Sequence, residues 1–273
     1  WPHDSARSSK ADAGLPVCLI VLAVAVAPGR PLVVAANRDE FHRRPAASAH
    51  LWPGRRPLLA GRDLEAGGTW LGATAGGRFA AITNVRERES GAADGHRSRG
   101  ELVVDFLAGS QSATAAAAAL DGARYRGFNL LLYDGAALVY CSNRGPVRPL
   151  APGIYSIANA GLDERRFKTR RAAAGLAAAV AEEADAGALQ SRLLDLLADR
   201  ALPPSPESSP QRTLPSAALD ACFIVGEHYG TRASTALLLD EQSVQLAERS
   251  YGPGGALRGE SWHRLPRAAA ASG

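Results

Sequence analysis

The sequence of 273 residues lacks methionine entirely and contains only three cysteines. These residues, Cys18, Cys141 and Cys222, lie far apart, with neither a Cys-x-x-Cys spacing nor a companion group of histidines. The pattern excludes a disulfide framework and a zinc site of the usual ligand spacing. We therefore expect a cytoplasmic protein with reduced thiols that holds no metal and no cofactor.

Lysine is also scarce, since Lys10 and Lys168 are the only two and arginine supplies the other basic residues. The formal net charge is only +4, and the arginines are interspersed with acidic residues along the chain. Without a basic stripe, the sequence argues against a nucleic-acid partner. With 46% hydrophobic and 21% charged residues, the composition is typical of a globular protein.

The start of the chain allows three interpretations. The run from Leu15 to Ala27 is too short to span a membrane as a helix, so we expect no stable membrane insertion. In the first interpretation it belongs to a signal peptide that is cleaved after Ala27, which predicts a secreted protein. In the second it is a core strand, paired in a hairpin from Cys18 to Ala36 around the turn Pro28-Gly29-Arg30.

The third interpretation adds a start site to the hairpin. A valine codon of the GTG type also serves as a bacterial start, and a start at Val17 would make residues 1–17 a leader that is absent from the mature protein. Removal of the initiator residue would then leave Cys18 at the amino terminus. Such a cysteine is a nucleophile with its own base, because its α-amino pKa of about 7.7–8.0 and its thiol pKa of about 8.5 are close together.

The rest of the chain predicts strands, then helices, then strands again. The segment Ser98-Arg99-Gly100-Glu101 matches a capping box ahead of a helix, and residues 164–200 predict two helices with a break near Gly187. We expect three further strands at 223–226, 233–240 and 243–250. The order lacks a regular βαβ alternation, which favours antiparallel sheets with helices outside, an α+β arrangement.

Several segments then identify a family. They are "CLIVLAVAVAPGRPLVVAANRDEFHRRPAA", "LLAGRDLEAGGTWLGAT", "GRFAAITNVRE", "SRGELVVDFL", "GFNLLLYDG", "YSIANAGLD" and "YGTRASTALLLD". Together they resemble the NRDE family, also called the transport and Golgi organisation 2 family, whose members typically begin Met-Cys. That family is similar to N-terminal-nucleophile (Ntn) hydrolases of the choloylglycine hydrolase and penicillin acylase kind. The resemblance implies a four-layer αββα sandwich with two mainly antiparallel sheets, as a single domain over residues 18–253. Residues 254–273 are expected to form a weakly ordered tail.

Polar residues at strand ends are the candidates for a catalytic site around Cys18. Arg38 and Asp39 end the second strand of the hairpin, and a cation and a carboxylate there could orient an amine and shift its pKa. Asn84 and Asn159 each end a strand, where amide N–H donors are suited to stabilise an oxyanion. The related hydrolases have Arg, Asp and Asn in comparable positions, so the resemblance implies catalytic roles for these four residues.

Three more residues are predicted to contact the substrate: Asn37, Trp70 and Arg232. Arg232 begins a strand and could bind a carboxylate or phosphate, although a structural ion pair would suit it as well. Trp70 follows a glycine-rich turn that lacks the phosphate-binding pattern, and core packing is the alternative for it. In each case the residue type alone leaves both interpretations open.

The resulting functional hypothesis is an Ntn-type hydrolase of an amide or other acyl bond, with Cys18 as its nucleophile. Its partner would be a small-molecule acyl or amide substrate. The alternative is a non-catalytic carrier or chaperone for a hydrophobic metabolite, such as haem or an acyl lipid, in the same pocket. The sequence does not indicate which substrate is bound or how many subunits associate.

Overall fold

The described part of the chain begins with the hairpin that the sequence predicts. The computed structural model describes residues 18–54, 56–85, 95–204 and 219–267. The predicted leader, residues 1–17, and the proposed start at Val17 lie outside these ranges. Strand β1 (Leu19–Ala27) pairs with β2 (Arg30–Phe41) around a turn in which Gly29 adopts a positive φ of 69°, a conformation that glycine reaches without strain.

This hairpin lies inside the first of two antiparallel sheets. The strand order of the first sheet is β11-β10-β1-β2-β12-β13-β14. The other strands of that sheet are β10 (Gly153–Ala158), β11 (Gly161–Leu162), β12 (Tyr229–Leu239), β13 (Ser243–Tyr251) and β14 (Leu257–Pro266).

The second sheet follows chain order, β3-β4-β5-β6-β7-β8-β9, as a meander. Its strands are β3 (Ala46–Trp52), β4 (Leu58–Asp63), β5 (Leu71–Thr74), β6 (Phe79–Asn84), β7 (Phe128–Tyr133), β8 (Leu138–Ser142) and β9 (Gly145–Leu150).

Helices cover the outer face of each sheet. Helices α1 (Arg99–Ala108) and α2 (Ala113–Ala118) pack on the second sheet, and α3 (Phe167–Glu182) and α4 (Ala186–Leu197) pack on the first. Short 3-10 turns occur at Gly122–Arg124 and Pro253–Gly255. The predicted α+β sandwich of four layers, αββα, is confirmed. No helix in the described residues is both long and apolar enough to cross a membrane.

Strand β1 shows why its sequence is a continuous apolar run instead of an alternating one. Ile20 and Leu22 face the core between the two sheets, whereas Leu19 and Val21 face α3 and α4. A strand that is covered on both faces needs apolar side chains at every position. The same alternation directs Cys18, which precedes β1, toward the space between the sheets.

Three sequence predictions require correction at the fold level. The strand expected at 223–226 is not formed, and the next strand begins at Tyr229. The weakly ordered tail expected from residue 254 is wrong for Leu257–Pro266, because these residues form β14 and pair with β13 along nearly its whole length. The capping box at Ser98 is also not formed, since the Ser98 side chain makes no cap hydrogen bond. Glu101 instead accepts a hydrogen bond from Nε of Arg97, at 2.8 Å.

Candidate active site

A cavity of about 730 Å³ opens where the strand ends of the two sheets meet. Cys18 lines it, together with the end of β2, the start of β12, the end of β6 and the start of α1. Within the described residues, eight arginines and four carboxylate side chains also line the wall. The cavity wall therefore combines many charged side chains with apolar surface and holds one thiol.

Cys18 is buried, with 8% of its surface exposed. Burial first, and then the nearby negative charge of Asp39, raise the pKa of the thiol to about 12. The backbone N–H of Asp39 donates to the sulfur and the charge of Arg38 is close by, and both act in the opposite direction. The structure thus brings Cys18, Arg38 and Asp39 together, as the sequence predicts.

Asp39 is the carboxylate next to the thiol. Its Oδ1 accepts a hydrogen bond of 2.6 Å from the Thr231 hydroxyl, which in turn accepts from the N–H of Ile224. Its Oδ2 is buried and has no hydrogen-bond partner among the described residues. Burial raises the pKa of Asp39 to about 6, although the positive charge of Lys168 opposes this shift.

Lys168 is a site residue that sequence reasoning missed. It is fully buried in the first turn of α3, and its charge interacts with Asp39 and with Cys18. Burial lowers the pKa of its ammonium group. A usable indication was present in the sequence, because in a chain whose cations are almost all arginine, Lys168 is one of only two lysines.

Arg38 connects the thiol to a surface network. Its Nη2 lies 3.3 Å from Oδ2 of Asp63 and 3.7 Å from Oε2 of Glu40. Arg44 shares the same two carboxylates, at 2.7 Å and 4.0 Å. These pairs fix the Arg38 guanidinium in the cavity wall, with its other terminal nitrogen, Nη1, buried and without a hydrogen-bond partner in the described chain.

The two asparagines expected to stabilise an oxyanion do meet, but they are not equivalent. Nδ2 of Asn159 donates to the main-chain carbonyl of Asn84 at 2.8 Å, which links the ends of β10 and β6. Asn84 lines the cavity, whereas Asn159 is buried and does not. The Asn159 amide holds the strand end that carries Asn84, and the oxyanion role expected of Asn159 stays a prediction.

Asn37 does not contact the cavity, contrary to the sequence prediction. Its side chain is fully buried on the opposite face of β2, where Nδ2 donates to the carbonyls of Leu197 and Cys222 at 2.9 Å and 2.7 Å. The hydroxyl of Ser234 donates to its Oδ1 at 2.6 Å. The physical reason is that neighbouring residues in a strand face opposite sides, so Asn37 faces α4 while Arg38 faces the cavity.

Trp70 and Arg232 both line the cavity, as predicted for substrate-contacting residues. Trp70 also packs against the core between the sheets and against the core under α1, so it serves the packing as well. Arg232 donates from Nη1 to the carbonyls of residues 41, 42 and 44, at 2.8 to 3.2 Å. These bonds attach the end of β2 and the segment that follows it to β12.

Glu248 is a second buried residue that the sequence reasoning did not select. It extends from β13 toward the second sheet and accepts hydrogen bonds from the N–H of Ala49 and the hydroxyl of Thr235. Burial raises the pKa of its carboxyl group. In the part of the chain that is described, no group of three or more His, Cys, Asp and Glu side chains is arranged to hold a metal ion.

Comparison with known sequences identifies the family. The sequence model of the family described as Transport and Golgi organisation 2 matches residues 17–253. The chain belongs to this family. A transport and Golgi organization protein 2 homolog from Bos taurus is 35% identical over 240 residues, covering 80% of this chain and 86% of the relative. A homolog from Mus musculus is 34% identical over 243 residues, with the same two coverages of 80% and 86%.

A solved structure supports the fold relationship. The chain is similar to a mutant conjugated bile acid hydrolase from Clostridium perfringens, with a TM-score of 0.51 and 10% sequence identity. The similarity covers 91% of this chain and 92% of that one. At this identity the comparison establishes the Ntn-hydrolase-like sandwich of this member of the transport and Golgi organisation 2 family, as the sequence resemblance implies, and nothing about substrate.

Proposed function

We propose that the protein is an Ntn-type hydrolase that cleaves an amide or other acyl bond, with Cys18 as its nucleophile. The observation that carries this proposal is Oδ2 of Asp39, a buried carboxylate oxygen beside Cys18 that lacks a hydrogen-bond partner in the described residues. Buried polar atoms are nearly always paired, so a missing donor there calls for an explanation. A free α-ammonium group on Cys18 would supply that donor.

The pKa of the thiol supports the same requirement. Burial raises the pKa of Cys18 to about 12, so a chain with a peptide bond before Cys18 holds almost no thiolate at neutral pH. An α-ammonium group on Cys18 itself would place a positive charge beside the sulfur and stabilise the thiolate. The proposed nucleophile is therefore active only when Cys18 is the first residue. The family match, which begins at residue 17, agrees with this arrangement.

The proposed reaction has two steps. In the first, the thiol transfers its proton to the α-amino group as the sulfur attacks the acyl carbon, and the ammonium then protonates the leaving amine or alcohol. This gives a thioester on Cys18. In the second, water attacks the thioester with the same amine as base, which releases the acid and restores the thiol. Asp39 orients the amine, and Asn84 is the proposed donor to the oxyanion.

The test compares the chain starting at residue 1 with a chain in which Cys18 follows the initiator methionine. We expect only the trimmed chain to hydrolyse members of a panel of acyl amides and thioesters, and Cys18→Ala to abolish that activity. We also expect iodoacetamide to modify Cys18 about tenfold faster in the trimmed chain, since one pKa unit changes the thiolate fraction tenfold. Mass spectrometry after proteolysis measures this rate for each cysteine separately.

Cys141 is the internal control for that measurement. Burial raises the pKa of its thiol to about 12 as well, and it lies in the core under α1 and α2, away from the cavity. Its modification rate should be equal in both chains. A trimmed chain that is inactive on the whole panel, with an unchanged Cys18 modification rate, would contradict the proposal.

The carrier alternative receives no comparable support. A pocket for haem or an acyl lipid is expected to be mostly apolar. In this cavity the apolar surface is shared with eight arginines and four carboxylates among the described residues, which is a high density of charge for such a ligand. We therefore propose a polar small-molecule acyl compound as the substrate.

A further inference from the structure

Arg38 and Arg232 lie side by side in the wall of the cavity. Arg38 is on β2 and Arg232 is on β12, where Arg38 pairs with Ala233 next to a bulge between Thr231 and Ala233. Both side chains line the cavity that holds Cys18. The pKa of Arg232 is lowered, first by burial and then by the like charge of Arg38.

The two guanidinium groups have fewer hydrogen-bond acceptors than donors around them. Arg232 forms no ion pair within the described residues, and its hydrogen-bond partners are the neutral carbonyls of Phe41, at the end of β2, and of His42 and Arg44. Its Nε is buried without a hydrogen-bond partner in the described chain, and so is Nη1 of Arg38. Two adjacent guanidinium groups therefore each have a buried nitrogen that lacks an acceptor.

Other groups nearby do not fill this gap. Nη2 of Arg38 already faces Asp63 and Glu40, which Arg44 shares. The carboxyl of Glu248 also faces the cavity, but it accepts from the N–H of Ala49 and the hydroxyl of Thr235. An anionic oxygen group from a ligand is the partner that would satisfy both orphan nitrogens, since guanidinium groups bind carboxylate and phosphate oxygens with matching geometry.

We propose that Arg38 and Arg232 bind a carboxylate or phosphate group of the substrate. The charge of Arg38 lies close enough to Cys18 to affect its thiol, so the anionic group lies near the bond that is cleaved. The substrate class is thus an acyl compound with a negative group close to its scissile bond, as in an N-acyl amino acid. The anion-binding site is argued without the hydrolase activity. Only the statement that its ligand is the substrate rests on the proposed function.

The experiment uses the full chain carrying Cys18→Ala, so that binding is measured without turnover. N-acetylglycine and N-acetylglycinamide are titrated by calorimetry, and inorganic phosphate is added as a competitor. The two compounds differ at one terminal group, which is a negative carboxylate in N-acetylglycine and a neutral carboxamide of similar shape in N-acetylglycinamide. We expect N-acetylglycine to bind about tenfold more tightly than the amide and phosphate to compete with it, in the range for a charge facing buried guanidinium groups.

Variants locate the site. Arg38→Gln should reduce the affinity for N-acetylglycine to that for N-acetylglycinamide, whereas Arg148→Gln, at an exposed position on β9 outside the cavity lining, should not change it. Circular dichroism and thermal melting check that each variant is folded. Equal affinities of the Cys18→Ala chain for N-acetylglycine and N-acetylglycinamide overturn the proposal. This comparison does not depend on whether Arg38→Gln folds. Retention of the preference in a folded Arg38→Gln chain also overturns it.

The outcome is independent of catalysis. Because Cys18→Ala cannot turn over, a failure of the trimmed chain to hydrolyse any acyl compound would remove the proposed function and leave the anion site standing. Conversely, hydrolysis without any preference for anionic compounds, together with equal affinities, would remove the anion site and leave the hydrolase.

Discussion

At the residue scale, Lys168 and Asp39 form a buried pair of opposite charges behind the thiol. Burial raises the pKa of Asp39 to about 6 from an ordinary 3.8, and Lys168 supplies the largest opposing contribution. A carboxyl with a raised pKa stabilises the fold in its protonated form. That contribution is complete below about pH 3.8 and is lost as the pH rises through about 6. Above that pH, the ionised Asp39 depends on Lys168.

We therefore expect Lys168→Met to be destabilising in a pH-dependent way. At about pH 8 the variant leaves an ionised carboxylate buried without its main countercharge, and the free energy of unfolding should fall by roughly 3–5 kcal/mol. At about pH 5 Asp39 is mostly protonated and the loss should be much smaller. Urea unfolding at both pH values measures the difference.

The matched control is the double variant Lys168→Met with Asp39→Asn. Without a titrating group at position 39, the penalty should no longer change between the two pH values. An equal loss of stability at pH 5 and pH 8 in the single variant would show that Lys168 acts by packing and not by its charge.

The residues of the site were only partly predictable. Cys18, Arg38 and Asp39 could be identified because they flank a recognisable hairpin and match a family pattern. Asn37 could not be separated from its neighbours until the facing of β2 was known, since four consecutive polar residues do not show which of them face the cavity and which face α4. Lys168 and Thr231 reach Asp39 only through tertiary packing, so local sequence gives no spacing that would connect them.

At the element scale, the wall of the cavity depends on a close approach between two backbones. A Cβ atom at Gly68 would lie 2.6 Å from the carbonyl carbon of Gly100, in the first turn of α1. Both glycines line the cavity. The start of α1 can therefore rest against the segment before β5 only if residue 68 has no side chain.

We expect Gly68→Ala to push α1 away from β5 and to lower the free energy of unfolding by about 1–3 kcal/mol, as for other overpacked sites. The clash involves main-chain atoms, which no side-chain rotation relieves. Gly145→Ala is the control, because a Cβ there meets nothing within 4 Å and its φ is not positive. Thermal melting of both variants compares them, and equal melting temperatures would contradict the close-packing argument.

The elements themselves were predicted unevenly. The hairpin β1–β2 follows from long apolar runs around a Pro-Gly turn. Strands β3 and β14 were missed because both are edge strands with largely exposed positions. β14 is mostly polar and β3 is rich in alanine, so neither has the alternating pattern of large apolar residues that identifies a strand. Residues 223–226 have the composition of a strand but form irregular structure, and Phe223 donates its N–H to the carbonyl of Asp199 and not to a neighbouring strand.

At the scale of the whole molecule, β14 closes one side of the first sheet. It lies beyond the residues matched by the family model and pairs with β13 from Ser243 through Tyr251. Without it, β13 would expose an unpaired edge, which promotes association with other chains. The outermost strand thus protects a sheet whose centre holds the candidate nucleophile.

A chain ending at Gly255 should therefore melt at a temperature lower by roughly 5 °C or more, equivalent to about 2 kcal/mol for a protein of this size. It should also form larger species in size-exclusion chromatography. A chain ending at Arg267 keeps β14 and is the control. If the shorter chain remains monodisperse and melts like the control, β14 is dispensable for stability.

The position of β1 in the middle of its sheet has a consequence for biosynthesis. The thiol and Asp39 are made early, but Thr231, which donates to Asp39, follows 192 residues later. At ribosomal rates of roughly 5–20 residues per second, about 10–40 s separate these two events. Throughout that interval the emerging chain carries its candidate nucleophile without β12, whose Thr231 holds Asp39. The environment that sets the pKa values of Cys18 and Asp39 is therefore complete only when translation is nearly finished.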